Sequence, residues 1–413
     1  MRVVLPVLVA LLLTGCASPT TQRVSVSKEQ TATEAQKQLD IVAEELISET
    51  KRLREVHWRL STKGVAMCPK VGPAWGAELA TTPKGELAGS MVRLYGTSEV
   101  PTVLFLVPGS PAEAAGLRPG DRVLSIYGTP TSDTKALAEK RRTMKAQDPM
   151  PLVVRRGVEE LKFEVKPVPA CDYPAVLAPQ QILNAFADGE RIMITRGMMN
   201  FARTDEELAL VVGHELAHNT MRHIDAKKAN AAGGFVADLA LAVLTRGAYN
   251  QANFAQAAAS AYSQEFEAEA DYVGLYMMAA AGYAIDDAPK FWRRMAAANP
   301  GNIKGTHSAS HPSTSYRMVA LEEAVKEIKV KAASGSALIP TKKDGTAFAG
   351  TSSAAPGAGG AAEVSMCVQK GRRVGDTFKV PGDGEYVVRR IQSTAGNCPS
   401  SMADNALVER VTR

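Results

Sequence analysis

Two histidines stand four residues apart in "VVGHELAHNT" (residues 211–220): His214 and His218, with Glu215 directly after the first. On a helix, positions four apart are neighbours on one face, one turn above the other. Two neutral imidazoles so placed can bind Zn2+. A glutamate beside the first can hold a water and take its proton, as the general base of a hydrolytic site. The competing reading is a plain helix whose histidines are satisfied in a core. A third donor decides, because zinc with two imidazoles needs another ligand and one open position. "SQEFEAEADYVG" (residues 263–274) offers carboxylates at helical spacing. Glu267 would ligate, and Asp271, four further on, would accept from a ring N–H, that of His214. Glu265 and Glu269 are also four apart and read as a solvated face, so spacing alone does not choose between the pairs.

Other elements must hold these groups in place. Thr204 followed by Glu207 predicts a capping box and a helix from near 205 through His223. Leu208, Val211, Val212 and Leu216 make its buried face. On one continuous helix His223 lies well around from the other two histidines and reads as a surface residue. His57 lies on an N-terminal helix and reads as structural. The apolar "ERIMITRGMM" (residues 190–199) is expected as an edge strand along which a substrate strand lies. "THSASHPSTSYR" (residues 306–317) reads as a loop. Its His311, or alternatively His307, could reach the metal as a removable ligand, donate to the reaction oxyanion, or do neither.

HExxH followed some fifty residues later by Glu-x-Glu-Ala-Asp resembles the HtpX-like and CAAX-prenyl-protease superfamily of zinc metallopeptidases, over residues 180–325. The resemblance implies a mainly α, zincin-like (gluzincin) domain with a small edge sheet. It implies one Zn2+ per chain held by His214, His218 and Glu267, with Glu215 as general base and Asp271 behind the ligands. It also implies hydrolysis of peptide bonds in protein or peptide substrates. His311-Pro312 followed by Arg317 recurs in that family too. Two features depart from it. Gln264 follows Ser263 where Arg is frequent, and "FVADLALAVL" (residues 235–244) is too short to span a bilayer and contains Asp238, whereas many members are multi-pass membrane proteins.

The rest of the chain frames this region. Its 413 residues suffice for a multidomain protein, and a diffuse net charge of +5 without a basic stripe argues against nucleic acid. Residues 1–15 read as a secretory signal. They end in Leu13-Thr14-Gly15-Cys16, which resembles a bacterial lipobox. That resemblance implies a lipid on Cys16. With Ala17 next, it implies the periplasmic side of the outer membrane in a Gram-negative bacterium; a plain signal peptide is the alternative. In residues 16–71, Leu39, Val42, Leu46, Leu53, Val56 and Leu60 make a helical stripe. It suits a spacer helix, a helix packed on the catalytic domain, or a coiled coil.

"VPGSPAEAAGLRPGDRVLSIYGTP" (residues 107–130) has a strand, a short helix, a Pro-Gly turn and a second strand, and resembles a β-rich PDZ domain, here 72–171. Such domains take a peptide as an added strand. Trp75, Gly76, Ala77 and Glu78 fall where the carboxylate-binding loop is expected, in a sequence unlike the usual one. The domain would engage substrate or an envelope partner, or serve only for docking. Residues 172–332 form the metallopeptidase domain, 333–365 a Gly- and Ala-rich flexible linker, and 366–413 a small disulfide-stapled β module with a hairpin at Pro-Gly-Asp-Gly. Cys68 and Cys171 bracket one segment and Cys367 and Cys398 another. Two local disulfides would suit an oxidising periplasm, and four free thiols are the alternative. Together these features predict an envelope endopeptidase acting on misfolded or misassembled proteins. The alternatives are an assembly scaffold or chaperone with a structural zinc, or a latent enzyme whose metal His311 closes.

Overall fold

The computed structural model describes residues 21, 24–229, 263–298, 315–346 and 348, and four strands between 363 and 410 as backbone. The chain divides into two units, Met1–Gly350 and Thr351–Arg413.

The first unit opens with α1 (Lys28–Lys63), started by a capping box between Ser27 and Gln30. It does not stand off as a spacer would. Leu53, Val56 and Leu60 are at most 1% exposed, in the same core as the helix that carries His214. Nearer the N-terminus, Ala43 packs with Met91, Leu104 and Phe105. Arg196 grips Glu49 at 2.7 Å and Arg52 reaches Asp205 at 2.9 Å. The buried face of α1 is therefore a seam along two domains, with Ala43 packed where Val42, read as part of the stripe, is exposed.

His57, on α1, is held neutral. Burial, then the charge of Arg54, push it from its ordinary 6.5 to about 4, although its ring N–H donates to the Tyr173 carbonyl at 2.8 Å. Unfolding frees the ring to take a proton. This contribution is intact above pH 6.5 and is lost as pH falls through the window from 6.5 to about 4. The ring keeps an accessible edge, so solvent trims the loss to about 1–2 kcal/mol between roughly pH 7.5 and 5. His57→Gln should flatten that part of the profile of urea midpoints; an unchanged slope would clear His57 as its source.

Next comes a sheet of β2 (Ala77–Ala80), β3 (Thr102–Leu106), β4 (Arg122–Ile126), β6 (Met150–Arg156) and β7 (Glu159–Val165) in the order β2-β3-β4-β6-β7, with β5 (Thr129–Pro130) paired to β4. Helices α2 (Ala88–Tyr95), α3 (Pro111–Ala114) and α4 (Thr134–Thr143) accompany it. Val103, Val123, Val154 and Val165, all 0% exposed, form its core, as alternating β-branched positions do on one face of a sheet. β1 (Val71–Ala74) pairs antiparallel with β8 (Val168–Cys171), Val71 opposite Cys171. A disulfide joins Cys68 to Cys171, whose Cα atoms are 5.5 Å apart. Ladder and disulfide make a neck, and the sheet is the stretch of chain between its two strands.

Beyond the neck, β9 (Ala175–Ala178), β10 (Ala185–Ala187) and β11 (Ile192–Thr195) form a sheet in the order β10-β11-β9. This corrects the expectation of an edge strand at 190–199. β11 is the middle strand, and Ile192 and Ile194 are 0% exposed; the chain then turns into α5 (Arg196–Phe201). A strand apolar on both faces belongs inside a sheet, and β9 and β10 supply its flanks. The helical layer is α6 (Asp205–Thr220), α7 (Ser263–Ala280), α8 (Ala288–Ala298) and α9 (Ser315–Ala333). After α9, part of the stretch read as linker folds back. Lys331 donates to the Ile339 carbonyl at 3.1 Å, and Leu338 and Phe348 pack on the core.

The second unit holds β12 (Glu363–Val368), β13 (Thr377–Val380), β14 (Gly384–Gln392) and β15 (Asp404–Arg410), all antiparallel in the order β12-β15-β14-β13. Val380 stands opposite Gly384 across the hairpin. Cys398, and with it the Cys367–Cys398 pairing, lies outside the described residues, as do the signal segment, Cys16 and residues 235–244. Among the described residues no helix is long and apolar enough to cross a membrane.

Candidate metal centre

α6 starts at Thr204, whose hydroxyl accepts from the Glu207 N–H at 3.3 Å. The expected box is only half made. Glu207 accepts from the N–H of Arg203 at 2.7 Å rather than from Thr204, and its two oxygens are gripped by Arg294 at 2.6 and 2.7 Å. That guanidinium holds the Glu207 carboxyl below its ordinary value. From Leu208 to Thr220 every residue is buried. The hydrophobic surroundings of α6 thus close around it on all sides, and only polar partners distinguish one face from another.

α7 crosses α6 at Gly213 and Gly274. A Cβ on Gly274 would lie 2.9 Å from the Gly213 carbonyl carbon and 2.9 Å from the His214 nitrogen, so a side chain at 274 would force the two backbones apart. The crossing sets the distance between His214 and the carboxylates of α7. Gly274→Ala is expected to cost about 1–3 kcal/mol by overpacking and to weaken zinc binding, as Glu267 is carried away from the histidines. Thermal melts and zinc titration check this; wild-type values in both would show that the crossing does not control the site.

Three donors meet between the helices: His214, His218 and Glu267. His214 Nε2 lies 3.1 Å from His218 Nε2 and 3.2 Å from Glu267 Oε2, and His218 Nε2 lies 3.4 Å from Glu267 Oε1. An ion bonded tetrahedrally at about 2.0–2.1 Å separates neighbouring donors by roughly 3.3 Å. The separations lie near that value, those to Glu267 ending on its two different oxygens, and two imidazoles with one carboxylate are a zinc donor set. The three side chains are at most 2% exposed, and Glu215, next to His214, is 2% exposed.

Around the donors lies a charged frame. His214 Nδ1 donates to Asp271 Oδ1 at 2.9 Å. Arg317 holds Asp271 with two bonds, at 2.7 and 2.8 Å, and lies 3.4 Å from Glu267. Burial would lower His214, but the hydrogen bonds and charges of Asp271 and Glu267 outweigh it and raise the ring to about 9. Burial would raise Asp271, yet Arg317 holds it below its ordinary value. Arg317 itself is pushed up, since the carboxylates of Asp271, Glu267 and Glu215 outweigh its burial. Trp292 closes one side, its ring centre 5.2 Å from that of His214. Carboxylates that favour a proton on His214 favour a dication there as well.

The structure brings Glu215, Asp271, His214, His218 and Glu267 to one place. His307 and His311 lie outside the described residues. Trp75, Gly76, Ala77 and Glu78 lie at the neck, against α1. Gly76 has φ +79° and a Cβ there would collide with Ser110, while Glu78 pairs with Arg54 at 2.7 Å. This loop, His57 and Trp58 together line a cavity of 170 Å3. β2, which follows the loop, is an edge strand.

His223 corrects the surface reading: it is 1% exposed, against His218. α6 ends at Thr220, and Arg222 adopts φ 56°, in the left-handed region that non-glycine residues rarely enter. The helical projection therefore stops before His223. The sequence also offered no role for Arg317 beyond a recurring pattern; three carboxylates in one buried cluster were the signal that a buried cation had to accompany them.

Residues 153–325 match Peptidase family M48, and residues 103–156 match a PDZ domain. The mitochondrial metalloendopeptidase OMA1 of Schizosaccharomyces pombe is 28% identical over 51% of this chain and 58% of its own length. OMA1 of Arabidopsis thaliana is 29% identical over 37% of this chain and 31% of its own length. A Vibrio cholerae protein described as a beta-barrel assembly-enhancing protease is 32% identical over 28% of this chain and 26% of its own length. The chain thus spans about a quarter to three fifths of these relatives. Among solved structures, the HtrA3 PDZ domain bound to a phage-derived ligand is 27% identical, with a TM-score of 0.19, over 24% of this chain and 88% of its own.

Proposed function

We propose that this chain, which carries a peptidase family M48 domain behind a PDZ domain, is a zinc-dependent endopeptidase of the bacterial cell envelope. The observation that carries the reading is the buried triangle of His214, His218 and Glu267 with Glu215 beside it. These three residues would hold one Zn2+ in a zincin-type site. When bound, zinc supplies a Lewis acid that polarises a carbonyl and acidifies water. Glu215 accepts the proton of the attacking water and delivers it to the leaving amine nitrogen. Asp271, fixed by Arg317, keeps the His214 ring turned so that Nε2 faces Glu267 and His218.

The compartment and the substrates belong to the same proposal. The Cys68–Cys171 disulfide suits an oxidising compartment, and the lipobox-like Cys16 suits anchoring to the periplasmic face of the outer membrane. The relatives' printed names, metalloendopeptidases and a β-barrel assembly-enhancing protease, favour protein substrates, here misfolded or misassembled envelope proteins. β2, the end strand of its sheet among the described residues, suits an added peptide strand.

The test is zinc per chain and digestion of unfolded casein by the purified protein, beside Glu267→Ala. The reading expects one zinc in wild type, with cleavage, and loss of both in the variant. Zinc without cleavage would favour the scaffold reading. A wild-type protein that takes no zinc would end the metallopeptidase reading.

A further inference from the structure

We propose that His223, with Glu269 behind it, is a positioning pair for His218. The inference rests on the metallopeptidase reading, because it concerns how one of the proposed ligands is aimed.

His214 and His218 are backed in different ways. Behind His214 stands a carboxylate held by a guanidinium. Behind His218 stands a second imidazole: His218 Nδ1 is 2.9 Å from His223 Nδ1, and His223 Nε2 is 2.9 Å from Glu269 Oε2. The proton positions follow from this geometry. His218 Nε2 faces His214 and Glu267, so ligation there places the His218 proton on Nδ1. That N–H points at His223 Nδ1, which must accept. The His223 proton then sits on Nε2 and is donated to the Glu269 carboxylate. A single tautomer of each ring satisfies the chain of bonds, and the other tautomer of either ring breaks it.

Three observations make this more than a chance contact. His223 is 1% exposed, and its ring lies 4.7 Å from that of Phe266 at an interplanar angle of 20°, which fixes its plane. The left-handed Arg222 is what delivers it. On an uninterrupted helix, a residue five positions after His218 would point roughly 140° away from it. Glu269 comes from α7, the helix that carries Glu267, so one helix provides a ligand and the last member of the relay. Removing a hydrogen-bonded partner behind a metal-binding histidine weakens metal affinity by roughly 10–100-fold. The Glu269 side chain is 42% exposed, so its charge is partly screened and its loss should be milder.

The test measures zinc affinity of the full chain by competition with a chromophoric chelator, and the visible spectrum of the Co2+ form, which reports ligand orientation. His223→Leu should bind zinc roughly 10–100-fold more weakly and shift the cobalt bands. His223→Asn places an acceptor oxygen where Nδ1 was, and should recover most of the affinity. Glu269→Ala, at the half-exposed end, should weaken binding several-fold and keeps the test usable if the His223 variants fold poorly. Wild-type affinity and spectrum in His223→Leu would overturn the proposal. So would equal losses in the Leu and Asn variants with a lowered melting point of the metal-free protein, which is a packing defect. A wild type that binds no zinc would remove the metallopeptidase reading and this proposal together. A wild type that binds zinc beside an unperturbed Leu variant would remove this proposal alone.

Discussion

Glu215→Gln should retain one zinc per chain and lose proteolysis by about 10^2- to 10^4-fold. The amide matches the carboxylate in size, so a side chain that is 2% exposed is replaced without a cavity. The His214, His218 and Glu267 donors are untouched, and the metal should stay. The amide, however, cannot take a proton from water or return one to the leaving nitrogen. The loss should fall on kcat with KM little changed, since proton transfer happens on the way to the transition state and not on binding. Zinc analysis beside single-substrate kinetics reads both halves. Cleavage at the wild-type rate would remove Glu215 from the general-base role, and loss of zinc would make it a structural member of the site.

Arg317→Leu carries the largest expected effect on stability. Arg317 is 1% exposed and makes two bonds to Asp271, beside Glu267 and within the field of Glu215. Leucine leaves the buried Asp271 carboxylate without its guanidinium, while Glu267 keeps Lys227 at 3.8 Å. Breaking a buried ion pair from one side costs about 3–5 kcal/mol, because the remaining charge has neither water nor a partner. The urea midpoint of the metal-free protein should fall accordingly. Arg317→Lys should lie between the two, since an ammonium supplies the charge but not the planar fork that fits Asp271 at two points. Zinc should narrow the gap by supplying positive charge to the same carboxylates. An unchanged midpoint in the leucine variant would mean that Asp271 is satisfied by other groups.

What the sequence made legible follows from short-range rules. His214, Glu215 and His218 share one helix, and their relation is settled by the helical repeat and by the helix start at Thr204. The Gly-Leu-Arg-Pro-Gly-Asp turn and its flanking strands announce the PDZ sheet for the same local reason. Glu267 is different. Its choice over Glu265 or Glu269 depended on a family pattern, because a second helix can present either pair until its rotation is known. That rotation is set by the Gly213–Gly274 crossing, a contact between residues 61 positions apart.

Two readings failed, and a third stayed open, where a local rule reached a boundary that only packing sets. The strand at 190–199 looked like an edge because apolar alternation reports burial and not the number of neighbours; β9 and β10 pair with it on both sides. α1 looked as much like a spacer as a packed helix, since a stripe shows which face is buried and not what covers it. His223 looked exposed because the helical projection was continued through Arg222, whose left-handed backbone ends it. His214, His218, their shared helix and the Glu215 carboxylate beside them can be read from the residues alone, whereas Glu267 cannot. Asp271 behind His214 was legible too; packing added Arg317 behind Asp271, and His223 with Glu269 behind the other histidine. The physical reason is range. Helical spacing and capping act within a few residues, whereas a buried charge finds its partner wherever packing brings one, as Asp271 meets Arg317 46 positions along the chain.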